Sequence, residues 1–307
     1  MTVVSRASRD VLIGGVDMGG TKILVGLGDK HGKLLAEVEL ATEGAQVLGR
    51  TITCALAGLA QTLDRQIEEI AAVVIGGAGV AGTDGRFEFA PNILDLADQN
   101  LSAEIAAATG ATVLLENDVN IAAIAELIHS QETDFCFVSL GTGVGMGIVV
   151  NGTLVRGSRG AAGEIGLLPI VKDPFNVANQ RRGAFEEAVA GETISSRYFA
   201  ATQAAVTPSG VFGLAAKGDV AAIAAIDDFA KSVAQGLSAV TAIIDPALII
   251  LGGGIGRRPD LLPRIRHWIE LLGVRDLQVR ITTLGPVGPV LGALHLASEH
   301  VLKESRD

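Results

Sequence analysis

One kind of glycine-rich turn occurs twice in this chain, as Asp17-Met18-Gly19-Gly20-Thr21-Lys22 and as Leu140-Gly141-Thr142-Gly143-Val144-Gly145. Each stands between two apolar runs of strand length, residues 11–16 and 23–27 around the first, 135–140 and 147–150 around the second. Short apolar runs bounded by glycine read as buried strands, and a tight glycine turn between two of them reads as a β-hairpin. Lacking Cβ atoms, such a turn presents backbone N–H groups and a threonine hydroxyl to one point, which is what phosphate oxygens require. Two hairpins of this kind predict two jaws on one polyphosphate.

The order of elements after each hairpin also repeats. A third strand at 34–40, a helix at 46–69, a strand at 71–75, a helix at 101–109, a strand at 112–115 and a helix at 119–129 come after the first. After the second come a strand at 153–155, helices at 185–201 and 220–244, a strand at 247–251, a helix at 259–272, a strand at 278–281 and a last helix from 289. Pro289 suits the first turn of that helix. The pattern is βββαβαβα taken twice and predicts two α/β domains facing one another across a cleft. The first domain is expected at 1–118, completed by the helix 289–307, and the second at 119–288.

Composition narrows the partners. The 307 residues are 49% hydrophobic, 19% charged and 4% aromatic, with a formal charge of −10. That balance suits packed α/β layers. It argues against nucleic acid or an anionic membrane as the main partner, because nothing offsets phosphate repulsion over a broad surface. A nucleotide must then be held locally, by loops and a metal ion. Residues 1–10 show no apolar leader pattern, and the apolar stretches 71–82 and 246–256 are too short to span a bilayer. Cys54 and Cys136 stand in apolar runs and read as buried, reduced thiols, which points to the cytoplasm.

Familiar motifs fail on context. Gly77-Ala78-Gly79-Val80-Ala81-Gly82 matches the dinucleotide fingerprint, but a turn and a strand come after it where the mechanism needs a helix. These glycines are better read as a close backbone approach to a ligand. No Walker A sequence is present, and no His or Cys spacing supports a zinc site. Polar residues at strand ends carry more. Glu116-Asn117-Asp118 comes directly after the apolar Val113-Leu114-Leu115, where a buried strand delivers side chains to a site. Asp118 also precedes a helix, so an N-cap is the alternative and the local pattern leaves both open. Glu164 stands in a loop of small residues, and Asn92 after Pro91 would by itself be a turn residue.

Taken in order, these residues resemble the ROK family of sugar kinases and repressors, within the actin-like, ribonuclease H-like ATPase superfamily. The matching elements are Asp17 to Lys22, Ala90-Pro91-Asn92, Glu116-Asn117-Asp118 with Asn120, Gly141 to Gly145, Gly160-Ala161-Ala162-Gly163-Glu164-Ile165-Gly166 with the preceding Arg156-Gly157, and Leu251-Gly252-Gly253-Gly254. The resemblance spans nearly the whole chain. It implies ATP-dependent phosphorylation of a hexose hydroxyl, with Asp118 as base and Asp17 orienting Mg²⁺ through water. Gly79, Asn92, Asn117, Glu164 and Glu186, together with Asp118, would bind the sugar. Gly19, Gly20, Thr21, Lys22, Gly141, Thr142 and Gly143 would hold the phosphates, and Gly253 and Gly254 would border the adenosine. Family members are usually dimers or tetramers, so a homo-oligomer is implied.

The chain departs from the family at a structural zinc. Leu167 stands at the position of the family's histidine ligand, and Val177, Asn179 and Ala184 at those of its three cysteines. No zinc is expected, and packing must hold the excursion at 172–183. Because that histidine also approaches the sugar, Leu167 leaves the hexose open: glucose first, then N-acetylated hexosamines, mannose and fructose. A non-catalytic sugar sensor is the second function class. Retention of Asp17, Asp118 and both glycine turns favours the kinase, since a sensor needs none of them.

Overall fold

The computed structural model describes residues 11–20, 22–42, 48–82, 85–88, 100–180 and 182–306. In chain order the first elements are β1 (Leu12–Met18), β2 (Lys22–Asp29), β3 (Leu34–Ala41), α1 (Leu48–Thr62), β4 (Ile70–Gly77), β5 (Val80–Ala81), β6 (Phe87–Glu88), α2 (Leu101–Thr109), β7 (Thr112–Asn117) and α3 (Asp118–His129). They continue with β8 (Phe135–Leu140), β9 (Val144–Val150), β10 (Thr153–Val155), α4 (Ala184–Val189), α5 (Glu192–Thr202), α6 (Pro208–Ala215) and α7 (Val220–Ile244). Last come β11 (Leu248–Gly252), α8 (Gly253–Gly256), α9 (Leu262–Leu271), β12 (Gln278–Ile281) and α10 (Gly288–Glu304). The chain divides into two compact units, Met1–Gln131 with Leu284–Asp307, and Glu132–Thr283.

The first sheet has the order β3-β2-β1-β4-β7, and the second has β10-β9-β8-β11-β12. Strand for strand these are one topology. In each, the glycine hairpin joins two antiparallel strands, and two further strands lie parallel to the first hairpin strand. Parallel sheets need both faces covered, and side-chain alternation along β1 does this. Leu12, Val16 and Met18 pack with Ile52 and Leu56 of α1 and Ile105 of α2, whereas Ile13 packs with Ile121 of α3 and with Val290 and Leu294 of α10. Full burial of each such side chain stabilises the fold by about 1.5–3 kcal/mol.

The helices α3 and α10 lie close because glycine lets them. A Cβ on Gly292 would stand 1.8 Å from the carbonyl oxygen of Ile121, and one on Gly15 2.9 Å from that of Val290. This contact corrects the boundary expected after Asp118: α3 stays with the first unit, and the division falls between Gln131 and Glu132. In the second unit, α7 buries Ala222, Ile226, Phe229, Val233, Leu237 and Val240, a stripe at helical spacing. Asp219 caps α7, accepting from the N–H of Ala222 at 2.8 Å.

Other expectations need correction. The helix expected at 46–69 ends at Thr62, where Asp64 turns left-handed and Arg65 N–H closes onto the Ala60 carbonyl at 2.9 Å. The helix expected at 185–201 is two helices, α4 and α5. The sequence pattern led to no helix at α6, which Thr207 caps ahead of Pro208. Cys54 is exposed because α1 buries Ile52, Leu56 and Leu59 on another face. Cys136 is buried in β8, and burial pushes its thiol up to about 12. Among the described residues no single helix is long and apolar enough to cross a membrane.

Candidate active site

In the first unit β1, β4 and β7 run parallel, so their carboxyl ends share one sheet edge, where α/β folds bind ligands. Asp17, Gly76 and Glu116 stand in one register line across these strands. Asp118 comes directly after β7. Burial and the nearby charge of Asp118 raise the Asp17 carboxyl to about 7, against a lowering by Lys22. Burial also raises Asp118, opposed by backbone N–H bonds.

The helix cap is Asn117. Its Oδ1 accepts from the N–H groups of Val119 at 2.9 Å and Asn120 at 3.1 Å. Its Nδ2 donates to the carbonyl oxygen of Gly79 at 3.1 Å. Gly79 has φ +102°, a conformation that suits glycine. Gly79 leads into the short hairpin β5–β6, so no dinucleotide fold opens on these glycines. Glu116 and Asn120 form a pair that the sequence shows only as part of a motif. Glu116 Oε1 accepts from Asn120 Nδ2 at 2.8 Å and from the N–H of Asn117 at 3.0 Å, and both side chains are buried. An acid and an amide four residues apart, either side of a strand-to-helix junction, are the signal for such a pair.

The first glycine turn is closed by Gly19 N–H donating to the Lys22 carbonyl at 2.9 Å, while Thr42 Oγ1 donates to the Gly19 carbonyl at 2.9 Å. Gly20 is exposed at the tip. Lys22 Nζ pairs with Glu39 Oε2 at 2.7 Å on the surface. Thr21 and Asn92 lie outside the described residues.

In the second unit the corresponding turn is closed by Gly141 N–H donating to the Gly143 carbonyl at 3.0 Å. Thr142 stands at its exposed tip. Gly191 N–H donates to the Gly141 carbonyl at 2.8 Å, and this bond is where the expected long helix breaks into α4 and α5. Val144 N–H donates to Glu186 Oε2 at 3.1 Å. Phe185 anchors this stretch, its ring standing where a Cβ on Gly236 of α7 would be, at 2.1 Å. Burial raises the Glu186 carboxyl, with the Val144 N–H and Arg182 acting against it.

Gly253, at φ +76°, packs on β8: a Cβ there would lie 2.3 Å from the Leu140 carbonyl oxygen. The N–H of Gly254 is 3.8 Å from the Cβ position of Gly141, so this bend adjoins the glycine turn. Glu164 is exposed, just before the short 3₁₀ turn Ile165–Leu167. Its loop is tied down by Met146 N–H donating to the Gly163 carbonyl at 3.1 Å. A Cβ on Gly166 would stand 3.2 Å from that of Glu186, and one on Gly183 would run into the Gly166 carbonyl, so the Glu164 loop abuts α4. At the positions where the family carries zinc ligands, Leu167 is 66% and Val177 81% exposed. The segment is held by Asn179 Nδ2 donating to the Asp173 carbonyl at 2.7 Å. Arg182 Nε reaches Glu187 Oε1 at 3.2 Å. Among the described residues no group of three or more His, Cys, Asp or Glu is placed to hold a metal ion.

Each unit thus ends its first hairpin strand in a glycine turn rich in N–H groups, and the first unit adds two raised carboxylates. The sequence profile of the ROK family matches residues 13–300. The glucokinase of Streptomyces coelicolor is 29% identical over 313 residues, covering 93% of this chain and 97% of that protein. The beta-glucoside kinase of Listeria monocytogenes is 28% identical over 305 residues, covering 95% and 98%. The crystal structure of a ROK family glucokinase from Streptomyces griseus, in complex with glucose and AMPPNP, superposes with a TM-score of 0.78 at 29% identity, covering 94% of this chain and 99% of that one. The fold is therefore actin-like, and the chain belongs to the ROK family.

Proposed function

We propose that this chain is an ATP-dependent sugar kinase that moves the γ-phosphoryl group of Mg·ATP to a hexose hydroxyl, with glucose to glucose 6-phosphate as the first choice. The observation that carries the reading is the Asp118 carboxylate, half-buried directly after β7 with Asp17 near it, its Oδ1 accepting from the Val119 N–H at 2.8 Å while Asn117 serves as the cap of α3. An ordinary aspartate, at about 3.9, is a weak base. A raised one takes a hydroxyl proton more readily, and that proton leaves as the oxygen bonds to phosphorus and the bond to ADP breaks.

The remaining roles rest on the family resemblance. Asn117, Gly79, Glu164, Glu186 and Asn92 are assigned to the sugar. The glycine turn of each unit is assigned to nucleotide phosphates, whose spread charge in a loose transition state is best met by fixed donors. Asp17 fits a Mg²⁺ that takes most of its ligands from phosphate and water, as this ion usually does. When bound, the ion neutralises phosphate charge. The relatives' names cover glucokinase, beta-glucoside kinase and N-acetylmannosamine kinase, so the family narrows the acceptor to a sugar and no further.

ADP release with Mg·ATP across glucose, N-acetylglucosamine, N-acetylmannosamine, mannose and fructose tests the reading. Turnover that depends on one sugar supports the kinase and names the acceptor. Sugar binding with no turnover on any of them supports the sensor instead.

A further inference from the structure

Helix α4 and Gly191, two residues after its end, grip the second glycine turn at both sides. Gly191 N–H donates to the Gly141 carbonyl at 2.8 Å, where the turn begins, and Glu186 Oε2 accepts from the Val144 N–H at 3.1 Å, where it ends. The carboxylate fills the space beside Gly143: a Cβ there would stand 2.7 Å from Oε2. Glu186 is 9% exposed, and its other oxygen lies 3.9 Å from Arg182 Nε. Phe185, the residue before Glu186, is seated on Gly236 of α7. A buried acid aimed at a backbone N–H in a loop of N–H donors has a consequence for the loop's own ligand. It holds the Gly143–Val144 peptide, whose carbonyl oxygen closes the turn by accepting from the Gly141 N–H at 3.0 Å, while the bond from Gly191 holds the Gly141–Thr142 peptide and with it the direction of the Thr142 N–H.

We propose that Glu186 is a positioning residue for the nucleotide phosphates, so that the carboxylate assigned to a sugar hydroxyl also sets nucleotide affinity through the Val144 N–H. The proposal rests on the kinase reading for the identity of the ligand, and it goes beyond a sugar contact. A residue that only touched sugar would leave nucleotide binding in the absence of sugar untouched.

Calorimetric titration of the full chain with Mg·AMPPNP, and separately with glucose, distinguishes the two. Without sugar, Glu186→Ala is expected to weaken AMPPNP at least tenfold. Glu186→Gln, whose amide oxygen can still accept from Val144, is expected to stay within about threefold of wild type, while glucose binding falls in both. Gly143→Ala, which pushes the carboxylate aside without removing it, is expected to weaken AMPPNP as well and serves if Glu186→Ala does not fold. AMPPNP binding unchanged in Glu186→Ala or in Gly143→Ala overturns the proposal, as does a Glu186→Gln variant that loses nucleotide as fully as the alanine one. A wild-type chain that binds no AMPPNP overturns it too. Wild-type binding with the expected pattern in the variants, but no turnover on any sugar, leaves the positioning role standing and removes the kinase reading.

Discussion

Asn117 takes the capping position that would otherwise fall to Asp118, accepting from the N–H groups of Val119 and Asn120 while donating to Gly79. Asp118 Oδ1 shares the Val119 N–H at 2.8 Å, whereas the Asn120 N–H and the Gly79 carbonyl are served by Asn117. Asn117→Ala removes a cap and a tie to Gly79 and is expected to cost about 1–2 kcal/mol of stability. Asp118→Asn is expected to cost less, because burial already disfavours its charged form. Urea unfolding midpoints of the two variants check the order, and the reverse order contradicts it.

The raised Asp17 makes stability depend on pH. Its carboxyl sits at about 7 in the folded chain against an ordinary value of 3.8, so the folded state binds this proton more tightly than the unfolded one. The resulting stabilisation is full below the unfolded value and is lost as the pH rises through the folded value. The thermal midpoint of the ligand-free protein is therefore expected to fall between about pH 5 and about pH 8, and to fall less in Asp17→Asn. Parallel pH profiles for wild type and variant would show that Asp17 is not the group responsible.

Arg182 stands at the entrance to α4, with Nε 3.2 Å from Glu187 and 3.9 Å from Glu186, in a segment without the family's metal ligands. Arg182→Met leaves partly buried carboxylates without their cation and is expected to cost about 2 kcal/mol or more. A chelator such as EDTA is expected to leave the wild-type melting temperature unchanged. A chelator-induced drop would mean that a metal, not this ion-pair cluster, holds the segment.

The doubled topology was legible because its signals are local. Glycine turns between apolar runs mark both hairpins, and β8, β10 and β12 fall where the runs do. What escaped depends on distant partners. The first unit runs past Asp118 because α3 packs on α10, whose Gly292 is far away in sequence. Gly191 looks like a tolerated helical glycine until its N–H is seen to serve Gly141. Cys54 lies in an apolar run but on the outer face of its helix. In the candidate site, the strand-end pattern left Asp118 open between cap and site and the family resemblance implied Asp17; the two interact electrostatically in one unit. The bond from Val144 to Glu186 could not be read, because it joins a side chain to a backbone group 42 residues away. The choice between Asn117 and Asp118 as cap turns on a one-residue helix boundary, the least certain feature of any sequence pattern.

The most direct test of the account measures product formation by ³¹P NMR with Mg·ATP and glucose, comparing wild type with Asp118→Asn, alongside glucose binding to each. The account predicts ADP and sugar phosphate in equal amounts from the wild type. In the variant it predicts a kcat lower by about 10²–10⁴, with glucose binding partly retained. Turnover of the variant near the wild-type rate would contradict it.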